Sequence, residues 1–249
     1  RLADLKPHAN LAASTTRRAA SFLGSCKIPT GEMKVVLGPL AGFSLISSVL
    51  EAADGESIFR GRSFLAGKKG ARIAPELLTV IEDPLHPNGL SSSAFDAEGY
   101  ARTKRNILSG GALNTYLHNA TSASRAKEDM TGHAERAGYM SGVSTGLTNI
   151  TIVPGGSSQK DIISSIKNGL YIDMGSLAPN TVSGALSGTV DYGYMIENGE
   201  LACPVANAMV GGQIFGILDS IEAVSSDYRE EPGNIMPSLL VGKMMVAGS

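Results

Sequence analysis

Apolar residues along the chain fall into short runs separated by glycine, proline and small polar clusters, and the period of the runs changes from place to place. Between Pro7 and Phe22 the stretch is Ala-rich. Leu11, Ala12, Ala19 and Phe22 lie near one helical face, and Gly24 stands where that helix would end. Lys34-Val35-Val36-Leu37 predicts a short buried strand stopped by Gly38-Pro39. Leu45, Ile46, Val49 and Leu50 predict a helix from about Gly42 to Ala52, ended by Asp54-Gly55. Residues 57–70 are irregular and basic. Leu77 to Ile81 predicts a strand by its β-branching, Asp83 to Gly89 a turn-rich loop, and Arg105 to Leu117 a hairpin about Ser109-Gly110-Gly111. Residues 119–128 predict a short polar helix.

Leu147 to Val153 alternates as a strand closed by Pro154-Gly155-Gly156. Ser158 and Asp161 form a capping-box pattern that opens a helix burying Ile162, Ile163 and Ile166, with Asn168 placed to cap its end and a strand at Gly169 to Ile172. Tyr192 to Ile196, Asn198-Gly199 and Leu201 to Cys203 form the strongest hairpin pattern in the chain, because Asn-Gly accepts the positive φ angles of a tight turn. Ile214, Ile217, Leu218 and Ile221 predict a helix over 212–223, and Pro237 to Val241 and Met244 to Val246 predict closing strands. Strands outnumber helices and many are joined by hairpins, with few β-α-β units. The fold class is therefore α+β, with mixed and largely antiparallel sheets and flanking helices, in one domain over residues 1–249.

Composition narrows the function classes. Hydrophobic residues make up 43% and charged residues 18% of the 249, as in an ordinary globular protein. No stretch approaches the roughly 20 apolar residues of a membrane span. The start, Arg1 to Pro7, lacks the apolar core of a signal peptide and an initiator Met, which suggests an internal cut or a missing upstream region. A net charge of −2 gives no electrostatic case for a nucleic-acid or membrane partner. Cys26 and Cys203 stand far apart as two isolated thiols, which fits a reducing compartment, the cytoplasm by default. Thirty glycines and an aromatic content of only 5% favour tight turns over long helices.

The chemical motifs mostly fail. None of His8, His86, His118 and His133 is followed by Glu, so no zincin pair with its water-activating carboxylate exists, and no metal site is expected in this chain. His133-Ala134-Glu135 lacks the Cys-x-x-Cys that a zinc deaminase needs. Gly61 to Lys69 is one residue too long for a phosphate loop, so a glycine turn with solvated lysines is expected. Gly142-Val143-Ser144-Thr145-Gly146 matches a nucleophile elbow, but a strand follows where a helix is required. Asp83, Asp96 and Glu98 fit solvated loop carboxylates better than an acid/base pair, and Cys203 fits a small core thiol. No catalytic residue is assigned.

The order of motifs resembles the C-terminal half of TldE/PmbA proteins, members of the TldD/TldE metallopeptidase family. The matching stretches include Ser63 to Gly70, Ala94 to Gly99, Ile107 to Leu113 and Thr131 to Arg136. They continue through Thr148-Asn149-Ile150 with Pro154-Gly155, Asn168 to Tyr171, Ile196 to Glu200, Pro204-Val205 and Pro237 to Val241, so the likeness runs from about residue 10 to the C-terminus. The resemblance implies the family's C-terminal-domain fold and a cytoplasmic two-protein peptidase that also carries the label "modulator of DNA gyrase". In such a pair a TldD-like partner bearing His-Glu-x-x-x-His holds zinc, and the TldE-like subunit holds none. It implies peptide degradation or peptide maturation, with a peptide substrate, and a family N-terminal domain that nothing in this sequence matches. An ungapped placement sets the partner's first His, Glu and second His on Ile46, Ser47 and Glu51; Ile46 cannot ligate zinc and Ser47 cannot serve as the usual general base. Ala185 stands where the family commonly has an acid. On this resemblance His133, Thr148 and Asn149, in matching Gly-rich loops, are the substrate-binding candidates, beside plain structural roles for each. Two rival readings are a stand-alone, self-associating peptide-binding or regulatory pseudo-enzyme module, and an independent hydrolase using Ser144 or Cys203.

Overall fold

The structure, a computed structural model, describes residues 8–205 and 207–248. In chain order its elements are α1 (His8–Ser21), β1 (Gly31–Leu37), α2 (Pro39–Glu51), α3 (Gly55–Phe59), β2 (Val80–Glu82), β3 (Arg105–Ser109) and β4 (Ala112–Leu113). There follow α4 (Ala120–Ala126), β5 (Ala134–Glu135), β6 (Ser144–Thr145), β7 (Ile150–Ile152), α5 (Gln159–Ser164) and β8 (Asn168–Ser176). The chain ends with β9 (Ala185–Glu197), β10 (Glu200–Val205), β11 (Ala208–Gln213), α6 (Ile214–Asp219), β12 (Ile221–Glu231) and β13 (Asn234–Ala247). Pro7, the expected start of the first helix, lies outside the described residues.

The sheet closes on itself. β1 pairs with β8 in parallel and β8 with β9 antiparallel, then β9 with β11, β11 with β13, and β13 back to β1. β13 is long enough to serve four neighbours, β1, β7, β11 and β12. Its first part lies against β12 and β1, and its end against β11 and β1. From the start of β13 a second arm runs through β7 to β2, β3 and β4. This is the expected mixed and largely antiparallel α+β arrangement. β10, an edge strand on β9, can hold Pro204 because a strand edge has no need of that missing N–H.

Burial explains the strand patterns. Val35 and Leu37 face the main core, whereas Val36 faces a smaller cluster with Ile162, Ile163 and Ile166 of the α5 segment. A strand covered on both faces reads as an unbroken apolar run rather than an alternation. The α5 capping box forms as expected, Ser158 accepting from the Asp161 N–H and Asp161 reaching back to the Ser158 N–H. The Asn198-Gly199 turn has φ of 50° and 84°, the mirror-image turn that matches strand twist. α2 starts at Pro39, in the first turn, where the absent N–H costs nothing, and buries Ala41, Leu45, Ile46, Val49 and Leu50.

Several sequence expectations are corrected. The 212–223 helix stops at Asp219, and Ile221 enters β12 instead, because a strand partner on β13 takes it. The Leu77 to Ile81 strand narrows to Val80–Glu82. Asn168 opens β8 rather than capping α5, whose last cap is Ser165. Asp54 does not merely end α2 but caps α3, accepting from the Ser57 N–H at 2.8 Å. The two closing strands are one, β13, and its partner β12 was unforeseen. Cys26 and Cys203 are not isolated thiols: they form a disulfide between the segment after α1 and β10, with Cα atoms 6.0 Å apart. The thiol-based case for a reducing compartment therefore falls away. No helix among the described residues is long and apolar enough to cross a membrane.

The disulfide joins residues 177 apart in sequence, a closure that chain entropy values at roughly 5 kcal/mol and that measured cases place nearer about 2–4 kcal/mol. Cys203→Ser is expected to lower the unfolding free energy by about 2–4 kcal/mol in urea titrations without reductant. Excess dithiothreitol should remove the difference between variant and parent; a difference that survives reduction would assign it to packing instead.

Candidate functional site

The arm away from the closed ring builds a cleft from three short pieces. α2 ends at Glu51, which is exposed, and Asp54 turns the chain into α3. Gly55 is required there, because a Cβ would sit 2.2 Å from Nδ1 of the buried His118. Two residues past Leu117, Asn119 caps α4: its Oδ1 accepts from the Ser122 N–H at 2.9 Å, and Ser122 Oγ accepts from the Asn119 N–H. α3 and α4 are tied by Glu56, which takes hydrogen bonds from both Arg60 and Arg125. These bonds hold its carboxyl below the usual carboxylate range. The third wall is residues 143–147, fixed to Asp54 Oδ1 by the Thr145 hydroxyl at 2.8 Å. Together they enclose a cleft of about 420 Å³.

Two sets of groups at this cleft have no partner among the described residues. β6 pairs with β5 on one side only, with Gly146 donating to the His133 carbonyl at 2.9 Å. By the alternation of an antiparallel ladder, Thr145 turns its N–H and C=O groups to the other side, and Val143 and Leu147 flank the paired residues with backbone groups that β5 does not take. No hydrogen bond among the described residues takes those groups, and all three residues line the cleft. Asn119 is 94% buried, from its relative exposure of 6%. Its oxygen is engaged as the cap, and its Nδ2 donates to nothing among the described residues although the residue lines the cleft.

The base of the β5–β6 ribbon is held by one buried carboxylate. Glu82 lies at the end of β2, which pairs with β7 so that Glu82 stands opposite Ile150. One oxygen, Oε2, meets His133 Nε2 at 2.5 Å, just before β5. The other, Oε1, accepts from the Thr148 N–H at 2.7 Å and the Thr148 hydroxyl at 2.8 Å, just after β6. His133 Nδ1 is 2.7 Å from the Thr131 hydroxyl, which accepts from the His118 N–H at 2.6 Å and donates to the His118 carbonyl. Each polar side-chain atom of Glu82, His133 and Thr131 thus has a partner within hydrogen-bond distance. Burial pushes the Glu82 carboxyl up, but the hydrogen bond and charge of His133 and the two bonds from Thr148 outweigh it. The group is held below the usual range.

The substrate-binding candidates thus sit around the cleft's scaffold. His133 is buried and Thr148 half-buried, and Glu82 brings them together. Asn149 is buried apart from them, with Nδ2 donating to the Asp83 carbonyl and Ser92 Oγ, both at 2.9 Å, so that it secures the 83–92 loop. Asp96 is corrected from a solvated loop carboxylate to a buried one, accepting from the N–H groups of Glu98, Tyr100 and Ala134. The lysines of the glycine turn are likewise partnered, Lys69 with Glu128 and Lys68 over the Phe215 ring. Ser144 lies in β6 and its hydroxyl reaches only the Glu135 carbonyl at 3.4 Å, so no base activates it. Glu82 and Asn119 were not singled out from sequence, and Glu51 was named only as the position matching the partner's second His. The one signal was the Asn119-x-x-Ser122 spacing before an Ala-rich turn.

Residues 30–248 match the family described as the PmbA/TldA metallopeptidase C-terminal domain. The chain is 30% identical over 236 residues to a metalloprotease of Methanocaldococcus jannaschii, covering 90% of this chain and 50% of that protein. It is 29% identical over 252 residues to metalloprotease PmbA of Escherichia coli, covering 99% and 53%. The crystal structure of TldE from Thermococcus kodakarensis superposes with a TM-score of 0.84 at 24% identity, covering 96% of this chain and 55% of that one, a likeness of fold. The chain spans about half the length of the curated relatives it matches.

Glu82 sets an acid limit on stability. Its folded-state pKa is depressed, so its contribution is present above the unfolded carboxylate value near about 4.3 and is lost as pH falls through the lower folded value. Removing one member of a buried pair costs about 3–5 kcal/mol, so Glu82→Ala should cost that much at pH 7. Glu82→Gln should cost less and flatten the fall in stability below about pH 4. Urea titrations between about pH 3 and 7 check both; an unchanged acid limb in Glu82→Gln would remove Glu82 from this role.

Proposed function

The chain belongs to the PmbA/TldD metallopeptidase family, and within it we propose that it serves as the TldE-like, non-catalytic subunit of a two-protein peptidase, holding extended peptides for a zinc-bearing TldD-like partner. The observation that carries this is what α2 offers. Ile46 is sealed in the hydrophobic core and cannot ligate a metal. Ser47 Oγ donates to the Ser44 carbonyl at 3.3 Å and is no general base, and Glu51, whose carboxylate could ligate by itself, belongs to no group of three His, Cys, Asp or Glu side chains among the described residues that could hold a metal ion. The residues present do not fit zinc. The Lewis-acid chemistry of the reaction accordingly belongs to the partner.

The cleft supports the peptide-holding half of the reading. An open strand edge recruits an extended chain through backbone hydrogen bonds, a recognition mode that needs little sequence specificity. Glu82 fixes that edge from below, so the geometry exists before a peptide arrives and less ordering is required on binding. The same edge also supports the rival, a stand-alone peptide-binding module that self-associates. A cytoplasmic setting rests on family resemblance alone, since the paired cysteines no longer argue for it. Whether the task is degradation or maturation of peptides depends on the partner's substrate.

The test is reconstitution of the full-length protein with a His-Glu-x-x-x-His relative. Native mass spectrometry is expected to show a mixed complex, and chelator-sensitive peptide hydrolysis should require both proteins. Zinc measured by atomic emission should follow the partner. Homo-oligomers with no mixed complex would favour the stand-alone module. Chelator-sensitive hydrolysis by this protein alone, with bound zinc, would overturn the proposal.

A further inference from the structure

We infer that the cleft at the end of α2 is a subsite that selects a cationic group on an extended peptide, with β6 holding the peptide backbone, Asn119 donating to it and Glu51 reading the charge. The inference deepens the peptide-holding reading above and rests on it.

Each part has its own observation. The free backbone groups of Val143, Thr145 and Leu147 ask for a strand-like partner. Asn119 supplies a side-chain donor that its cap role cannot use up. Its oxygen is committed to the Ser122 N–H, so Nδ2 must face the other way, and the residue is almost wholly buried at the cleft wall. Nδ2 is thus a donor at the cleft wall with no protein acceptor among the described residues, and a peptide carbonyl laid beside β6 is the complementary group.

Charge supplies the specificity. The cleft wall carries Glu51, Asp54 and Glu56 against Arg125. Arg125 and Arg60 are both spent on Glu56, and Asp54 is engaged by the Ser57 N–H and the Thr145 hydroxyl. Glu51 has no ion pair or side-chain hydrogen bond among the described residues. A negatively charged wall with one free carboxylate favours an ammonium or guanidinium and disfavours acidic side chains. The cation can be a lysine or arginine side chain, or the peptide's own amino terminus. The structure assigns the shared chemistry, and the probes separate the two sources.

Fluorescence anisotropy with labelled peptides of about six residues tests this on the full-length protein and its complex. One probe is acetylated with an internal lysine, a second has a free amine and no lysine, and a neutral control is acetylated with norleucine. At least one cationic probe should bind about fivefold tighter than the control, the scale of a partly exposed ion pair. Glu51→Gln, at an exposed position where folding is unaffected, should erase that preference while leaving control binding unchanged. Asn119→Asp keeps the α4 cap and loses the donor, and it should weaken the neutral control, whose binding does not gain from the added charge; N-methylation of alternate peptide nitrogens should weaken all probes. A preference that survives Glu51→Gln, or cationic and neutral probes binding alike, overturns the subsite and leaves peptide holding intact. Failure of every probe to bind overturns the peptide-holding reading itself.

Discussion

The site depends on one carboxylate that water cannot reach. Glu82 is 2% exposed, and the effective penalty for burying an unpaired charge is several kcal/mol, so its surroundings have to supply a cation and hydrogen-bond donors. They come from opposite ends of one short ribbon, His133 before β5 and Thr148 after β6. A charge that must be satisfied from both sides fixes the distance between those ends. The two-residue strands between them are too short to hold a register alone. Through Thr131 the same network reaches the backbone of His118, one residue before the cap of α4. Two walls of the cleft are thereby placed by one interaction.

Local signals in the sequence located much of this fold, and non-local ones did not. The Asn198-Gly199 turn and the Ser158–Asp161 box are chemistry within a few residues, and both appear as expected. β12 escaped notice because Ser225 to Glu230 is polar, and most of it faces solvent on both sides of an outer strand. Helical spacing over Ile214, Ile217, Leu218 and Ile221 was genuine for one turn and a half, and then pairing with β13 overrode it. The cysteines looked isolated because 177 residues separate them, and only the fold brings β10 beside the segment after α1.

The site shows the same division. His133 and Thr148 were chosen for lying in Gly-rich loops, and the structure joins them through a residue that no pattern singled out. Glu82 closes an apolar run and precedes Asp83-Pro84, so in sequence it looks like an ordinary polar strand end. Its importance arises from the β2–β7 register, which sets it opposite Ile150 and within reach of Thr148. Asp96 misled for a related reason. A carboxylate in a turn-rich segment is usually solvated, but this one is enclosed because three backbone N–H groups converge on it.

An open strand edge is normally a hazard, since it invites pairing with other copies of the chain. Here the paired strand is only two residues long, its cleft is lined by the end of α2 and by α4, and it is bounded by a carboxylate with no ion pair among the described residues. Shortness and the cleft walls keep a second folded molecule from docking flat against it, yet neither obstructs a flexible peptide that can enter end-on. On the proposed reading the charge adds a filter, repelling acidic segments before backbone bonds form. Rigidity matters as much. If the ribbon moved with its passenger, the peptide would not present a bond at a fixed place to a second protein. A ribbon anchored on a buried ion pair holds still, and on the proposed reading that is how a subunit without metal ligands of its own would serve cleavage.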